Sequence, residues 1–332
     1  MSTAPGHQAP QPAAPQHDAA HHRAETSGVI PALPGSDDDP GTGPAARSLF
    51  TGLVDDAAVF PPGLAPMADA VPGHLMHRSA WYADLVGPFL VPSGAVDTFT
   101  GSLPDGAWLA VAVVADPAAP DPLDAALRAL ESLRRLPGVD VVALEVPLPR
   151  GADQGAAASG LVGELTRRLP VGVRAWVEVQ REPGWQEAVR TIAVAGDDLG
   201  AKLRTGGTSP EAFPSVDELA AFVRTAVDVD ATFKLTAGLH TAVRGPDATG
   251  ATHHGLLNVI GAVRAALNGA EAPDVAQVLA ETDPARLTSA VRRMSDADAA
   301  VLRAFLGSFG CCGVTDPVGE LAGLGLLEEE PA

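Results

Sequence analysis

The chain has very little lysine. Lys202 and Lys234 are its two lysines among 332 residues, whereas all basic residues together number 22 and acidic residues number 41. The formal net charge is −19. A surface with such a negative balance repels nucleic acid and anionic membranes, so we expect neither as a partner. The simplest role for the excess acid is to keep the protein soluble.

Cysteine and long apolar runs are also scarce. The two cysteines, Cys311 and Cys312, are neighbours in the chain, a spacing that bridges with difficulty and provides neither a disulfide framework nor a metal cage. No stretch approaches the roughly 18 apolar residues of a membrane span, and the N-terminus lacks the basic flank and apolar core of a secretory signal. The expected protein is therefore soluble and cytoplasmic.

Residues 1–45 are rich in Pro, Ala, Gly, His and Asp without apolar periodicity, which predicts a disordered tail. From residue 46 onward, short apolar runs alternate with amphipathic stretches. The predicted strands are Leu49–Asp55, Leu85–Pro92, Trp108–Asp116, Val139–Val146, Val173–Val179, Leu199–Thr205, Ala231–Gly238 and Val301–Gly307. The predicted helices are Pro66–Arg78, Pro122–Leu136, Gly160–Leu169, Trp185–Ala195, Val216–Val227, Gly255–Asn268 and Pro317–Leu324, with one or two more in an insertion at Glu271–Met294.

Eight strands that alternate with helices are typical of a (β/α)8 TIM-type barrel. We therefore expect one barrel domain over residues 46–332, with a helical insertion before its last strand. A doubly wound open sheet is the alternative, but no Gly-x-Gly-x-x-Gly follows the first predicted strand, so its usual dinucleotide-binding hallmark is missing.

Ionisable residues stand near the ends of the predicted strands three to seven, where barrel enzymes place their sites. Because side chains alternate along a strand, each strand directs one set of them inward. The predicted inward or strand-end charges are Asp116, Glu145, Glu178, Lys202 with Arg204, and Lys234 with Thr236 beside it. The alternative is a purely structural role, in which Glu178–Lys202 and Glu145–Arg204 are ion pairs that fill the barrel.

The loops after the strands add further candidates. Asp56 follows the first strand and could orient a lysine or bind a metal, or simply cap a turn. His240 and His254 follow the seventh strand, and either could move protons near a lysine. The glycine-rich segments that contain Gly206 and Gly207, and Ser308 and Gly310, could present backbone N–H groups to an anion.

The two lysine phrases resemble paired motifs of the deoxyribose-phosphate aldolase family of class I aldolases. They are Lys202-Leu203-Arg204-Thr205-Gly206 and Phe233-Lys234-Leu235-Thr236-Ala237-Gly238. The resemblance implies that Lys202 forms a Schiff base and that Lys234 lowers its pKa, with Arg204 in place of a small polar residue. Asp116 is the nearest counterpart of the catalytic aspartate on strand three in that family. The chain is also similar to a group of actinobacterial barrel-like proteins that carry the same phrases, a similarity that supplies no function.

Three functions follow as alternatives. The first is a Schiff-base lyase or aldolase without a cofactor, acting on a small phosphorylated or carboxylated carbonyl compound. Its catalytic residues would be Lys202, Lys234, Glu178, Glu145, His254 and Asp56, and its substrate-binding residues Arg204, Thr205, Gly206, Gly207, Thr236, His240, Ser308 and Gly310.

The second alternative is an enolase-type lyase or isomerase that binds Mg²⁺ through Asp116, Glu145 and Glu178, because three carboxylates suit a hard cation. The third is a non-catalytic barrel that serves as a binding or scaffold module. The expected partner is a small anionic substrate molecule, and the chain could form a homo-oligomer.

Overall fold

The fold was analysed in a computed structural model, which describes residues 47–207, 209–246, 250 and 252–328. The predicted disordered tail, residues 1–45, lies outside the described residues. None of the described helices is both long enough and apolar enough to cross a membrane.

The described strands confirm the (β/α)8 barrel. In chain order they are β1 (Val54–Asp56), β2 (Val86–Pro92), β3 (Leu109–Val114), β4 (Val139–Pro147), β5 (Arg174–Val179), β6 (Leu199–Arg204), β7 (Phe233–Thr236), β8 (Gly245–Pro246), β9 (Thr252–His253) and β10 (Leu306–Cys311). Eight of them close into a barrel in the order β1, β10, β7, β6, β5, β4, β3, β2, and every neighbouring pair in it is parallel. The short β8 and β9 form a separate antiparallel pair in the loop after β7.

Helices cover the outside of the barrel. They are α1 (Met67–His77), α2 (Val96–Ser102), α3 (Pro122–Leu133), α4 (Gln154–Arg168), α5 (Trp185–Ala193), α6 (Val216–Asp228), α7 (Leu256–Leu267), α8 (Ala272–Ala280), α9 (Pro284–Arg292), α10 (Asp296–Phe305) and α11 (Thr315–Gly323). The insertion at Glu271–Met294, predicted to contain one or two helices, contains α8 and α9. Ser215 caps α6 in a capping box with Glu218, the start signal that the spacing of these residues indicates.

Two predicted strands were misplaced. The predicted last strand, Val301–Gly307, is mostly the helix α10, and the strand itself is Leu306–Cys311. Ser295 and Asp298 form a capping box at the start of α10, and this local signal outweighs the short apolar run that suggested a strand. At the first strand, Leu49 belongs to a 3-10 turn and the strand begins only at Val54.

The barrel interior is apolar at one level and charged at the next. Trp176 lies across the interior, where a side chain on Gly200 or Gly307 would approach its ring to 2.3 or 2.6 Å. These two glycines therefore make room for the indole. The side chain of Glu178, two residues further along β5, lies on the same inner face and nearer the carboxyl ends of the strands. The charged groups described below occupy that level.

Candidate active site

Five charged side chains meet inside the barrel near the carboxyl ends of its strands. We call Asp55, Glu145, Glu178, Lys202 and Lys234 the charge cluster. They come from β1, β4, β5, β6 and β7, so five strands each supply one group. The inward positions predicted from strand alternation for Glu145, Glu178, Lys202 and Lys234 agree with these contacts.

Glu145 links the two lysines. Its Oε2 lies 2.6 Å from Lys202 Nζ and its Oε1 lies 2.5 Å from Lys234 Nζ. Burial alone would raise the pKa of Glu145, but the two ammonium groups outweigh it and hold the pKa at about 2. Glu145 is therefore an ionised bridge between two cations at neutral pH.

Each lysine has a second carboxylate of its own. Lys202 Nζ lies 2.8 Å from Glu178 Oε2, and Lys234 Nζ lies 2.5 Å from Asp55 Oδ2. Burial favours the neutral amine, but the paired carboxylates outweigh burial and raise the pKa of both lysines. Lys234 does pull the pKa of Lys202 downward, as the aldolase resemblance implies, but Glu145 and Glu178 pull harder in the other direction. Both lysines are therefore ammonium ions in this structure.

Asp55 is the carboxylate most hindered by burial. Burial raises its pKa in spite of the opposing attraction of Lys234. Ser308 donates a hydrogen bond of 2.8 Å to Oδ2, whereas the buried Oδ1 has no hydrogen-bond partner among the residues that the structure describes. Oδ1 instead faces the backbone of β2, where a side chain on Gly87 would come within 2.2 Å of it. The absence of a side chain at Gly87 thus allows Asp55 to reach Lys234.

A cavity of about 790 Å³ opens above the charge cluster. Lys202, Glu145 and Glu178 line it, but Lys234 is completely buried and is not among the described residues that do. The only slightly exposed side chains of Lys202 (5%) and Glu178 (12%) therefore form the part of the charge cluster that a small molecule could reach.

The cavity also carries cationic groups above its floor. Arg204 is 43% exposed, and its Nε lies 3.8 Å from Glu178 Oε1. This pair replaces the predicted Glu145–Arg204 pair, because Glu145 already binds both lysines. Arg150, on the loop after β4, and His240 line the same cavity. Arginine side chains suit carboxylate or phosphate groups, so the cavity has the charge to hold an anion.

Thr236 and Gly310 line the cavity, as predicted for substrate-binding residues. Four other predicted substrate-binding residues are not among the described residues that line it: Thr205, Gly206, Gly207 and Ser308. The hydroxyl of Thr205 donates to the carbonyls of Thr236 and Ala237, and Ser308 binds Asp55. A side chain on Gly206 would approach the Gly238 Cα to 2.8 Å, and one on Gly207 would approach Ala212 Cβ to 2.7 Å. Thr205 and Gly206 therefore lock the ends of β6 and β7 together.

Asp56 and His254 also have structural partners instead of the predicted catalytic ones. Asp56 Oδ2 lies 3.0 Å from His74 Nδ1, and its Oδ1 accepts from the Ala58 N–H. Neighbouring strand residues point to opposite faces, so Asp55 faces the lysines and Asp56 faces α1. His254 Nε2 lies 2.7 Å from the Pro214 carbonyl oxygen, and burial lowers the pKa of this imidazole.

The three carboxylates predicted to bind Mg²⁺, those of Asp116, Glu145 and Glu178, do not form a common metal site among the described residues. Asp116 is exposed and its Oδ1 accepts from the Ala118 N–H, whereas Glu145 and Glu178 bind Lys202 instead. Among the described residues, no group of three or more His, Cys, Asp or Glu side chains is arranged to hold a metal ion. Asp116 does line the cavity.

Two residues of the site were not predicted. From the sequence, Asp56 is predicted as the site residue and Asp55 is not. Alternation along β1 allows only one of these two neighbours to face inward, and the structure shows that it is Asp55. Arg150 follows the end of β4 in the loop Leu148-Pro149-Arg150, a position from which a side chain reaches the mouth of a barrel. For both residues, the sequence signal that indicates a site position is their place in or just after a strand of the barrel.

Comparison with protein-family models, with curated proteins and with solved structures found no match to this chain.

Proposed function

We propose that the protein is a Schiff-base lyase acting on a small carbonyl compound that carries a carboxylate or phosphate, with Lys202 as the nucleophile. The observation that supports this most is the position of Lys202 Nζ on the cavity floor, within hydrogen-bonding distance of two carboxylates. An amine that attacks a carbonyl needs a group to take its proton, and a carboxylate at 2.8 Å is within reach.

Glu178 is the proton acceptor in this proposal. Glu145, with a pKa of about 2, holds a proton poorly and serves as a fixed anion. Burial opposes ionisation of Glu178, and Lys202 and Arg204 outweigh it and lower the pKa of Glu178 too. Glu178, however, has a single close ammonium partner and lies at the cavity surface. Transfer of a proton from Lys202 to Glu178 turns an ion pair into a neutral pair, which becomes more favourable when a bound molecule displaces water from the cavity.

The remaining steps use the same groups. The neutral amine of Lys202 adds to the carbonyl carbon, and Glu178 returns its proton to the oxygen. Glu178 then moves a second proton from the nitrogen to the hydroxyl group, and water leaves to form a protonated imine. That imine withdraws electrons from the neighbouring carbon, so a carbon–carbon bond breaks or a proton leaves there. Arg204 and Arg150 hold the anionic group of the substrate. Lys234, sealed below, keeps Glu145 ionised and in place.

Borohydride trapping tests this proposal. The protein is incubated with pyruvate, glyoxylate or glyceraldehyde 3-phosphate and sodium borohydride, and the site of added mass is located by peptide mass spectrometry. We expect a reduced adduct at Lys202. Lys202→Arg is the matched control, because it keeps the positive charge but cannot form an imine. No adduct with any of the three, or equal adduct in Lys202→Arg, would argue against the proposal.

The pH dependence of trapping distinguishes this mechanism from a lysine activated by its neighbour. Because the pKa of Lys202 is raised, the free amine becomes more abundant with every step toward higher pH. We expect trapping to increase steadily from pH 6 to pH 9. A plateau that begins near pH 7 would instead indicate a lowered pKa, as the aldolase resemblance implies.

A non-catalytic binding barrel is the second candidate, because each charge in the cluster already has a partner. In that case Lys202→Arg should still bind the same anions. Thermal shift with the three compounds measures this, since a ligand of the folded state raises its apparent stability. Retained binding together with no trapped adduct in the unmodified protein would favour the binding function.

A further inference from the structure

Cys311 and Cys312 stand in opposite surroundings at the end of β10. Cys311 is 1% exposed and its thiol donates to the Gly313 carbonyl oxygen at 3.3 Å. Cys312, the next residue, is only partly buried and lines the cavity. One thiol is therefore occupied and enclosed, and the other is open to small molecules.

His240 connects Cys312 to a carboxylate. Its Nε2 lies 3.6 Å from Cys312 Sγ, and its Nδ1 lies 3.2 Å from Asp316 Oδ2 and 3.6 Å from the enclosed Cys311 Sγ. A nucleophile, a base and a group that orients the base stand in the order required for nucleophilic catalysis. Hydrogen bonding with Cys311 and Cys312 raises the pKa of His240 above its usual range, so the imidazole readily keeps a proton taken from sulfur.

The barrel topology brings these three residues together. β7 and β10 are neighbours, and the Ala237 N–H donates to the Gly310 carbonyl, joining the ends of the two strands. His240 follows β7, whereas Cys312 follows β10 directly. Asp316 lies in the first turn of α11, four residues later.

We propose that Cys312, His240 and Asp316 form a second nucleophilic site of this cavity, in which the sulfur of Cys312 adds to an electrophilic carbon of a small anionic molecule. With an aldehyde, a sulfur–carbon bond forms, the carbonyl oxygen gains the π electrons, and His240 passes the thiol proton to that oxygen. The product is a thiohemiacetal, and the step needs no oxidant or further reactant. Asp316 is a positioning residue that orients the imidazole.

This site does not depend on Lys202. None of the contacts of Cys312, His240 or Asp316 described above involves the charge cluster, so its chemistry can be present when Schiff-base formation is absent. The cationic groups of the cavity, Arg204 and Arg150, favour anionic electrophiles over neutral ones.

Alkylation measures the site directly. The folded protein is treated with iodoacetamide or iodoacetate at pH 6.5, where a free thiol is only about one per cent thiolate. The sulfur–carbon bond forms, iodide leaves with its electron pair, and His240 takes the proton. We expect modification at Cys312, at least tenfold faster than for glutathione, with iodoacetate at least as fast as iodoacetamide. Cys311 in the same chain is the internal control and should stay unmodified.

Three variants separate activation from exposure. His240→Gln should slow the reaction of Cys312 about tenfold or more at pH 6.5 and much less at pH 9, where thiols ionise without help. Asp316→Asn, at a half-exposed position, should slow it by a smaller factor of about two to five and keep the fold. Gly101→Ala, at an exposed position outside the cavity lining where a methyl group meets no atom within 4 Å, is the control and should leave the rate unchanged. A Cys312 rate equal to that of glutathione, or one unaltered in both His240→Gln and Asp316→Asn, would overturn the proposal.

Discussion

Lys202 and Lys234 occupy paired positions on β6 and β7, yet their surroundings differ in one respect. Each binds Glu145 and one further carboxylate, but Lys202 and its partner Glu178 line the cavity whereas Lys234 and its partner Asp55 are sealed beneath it. The same residue type in the same register thus has two different surroundings. Lys202 is within reach of a small molecule in the cavity, and Lys234 is enclosed with its carboxylate partners.

The largest expected effect comes from removing the sealed lysine. Lys234→Met leaves Asp55 and Glu145 buried with one ammonium fewer, and an uncompensated buried charge costs about 3–5 kcal/mol. We expect the free energy of unfolding, measured by urea titration, to fall by that amount.

Lys202→Met is the matched comparison. Its partner Glu178 keeps Arg204 nearby at 3.8 Å and is open to water in the cavity, and Glu145 keeps Lys234. The loss should therefore be smaller, about 1.5–3 kcal/mol, the range for a hydrogen bond to a charged group. Equal losses in the two variants would mean that access to the cavity does not distinguish the lysines.

Acid should weaken the charge cluster through Glu145. Its pKa in the folded state is about 2 against an ordinary value of 4.5, so the unfolded chain binds more protons in that interval. The contribution of ionised Glu145 to the free energy of unfolding is complete above pH 4.5 and is lost as the pH falls toward 2. At pH 3 the free energy of unfolding is therefore about 2 kcal/mol lower than at pH 6 because of Glu145 alone.

Urea titrations at pH 6 and pH 3 measure this effect. Glu145→Gln, which cannot titrate, should lose about 2 kcal/mol less between the two pH values than the unmodified protein. Asp55 has the opposite effect on acid stability, because its raised pKa makes the folded state bind a proton more tightly than the unfolded chain does. An identical acid sensitivity in both proteins would show that Glu145 is not the responsible carboxylate.

The smallest effect should come from Gly87. A methyl group there would lie 2.2 Å from Asp55 Oδ1, so Gly87→Ala must turn the carboxylate. We expect a loss of about 1 kcal/mol in unfolding free energy, the low end for overpacking, because the atom that clashes is Oδ1 and a small rotation of the carboxylate can keep Oδ2 in contact with Lys234. Gly94→Ala is the control, since a methyl group at Gly94 meets no atom within 4 Å and should change stability little.

Much of the architecture was predictable. Alternation of apolar runs and amphipathic stretches indicated the barrel, and strand alternation put Lys202, Lys234, Glu145 and Glu178 on the inner face. These are local signals, since the side-chain direction in a strand follows from its neighbours alone. Where two local signals competed, as in the capping box of α10 against the apolar run at Val301–Gly307, the prediction was wrong.

The partners of each charge were not predictable in the same way. Asp55 and Asp56 are chemically identical neighbours, and only the placement of β1 between β2 and β10 sends one to Lys234 and the other to His74. The resemblance that made Lys234 an activator of Lys202 takes no account of Glu145, which comes from a strand on the far side of β5 and β6 in the barrel order.

The amino-acid sequence by itself determined most of the strands and helices and the face on which Lys202, Lys234, Glu145 and Glu178 stand, because these depend on short-range periodicity. Tertiary structure alone decided which lysine reaches the cavity, which carboxylate bridges the pair, and that His240 stands between Cys312 and Asp316. Closing the barrel brings together residues as far apart in the chain as Asp55 and Lys234 and removes water from them. Their electrostatic interactions therefore depend on distances and burial that arise only in the folded chain.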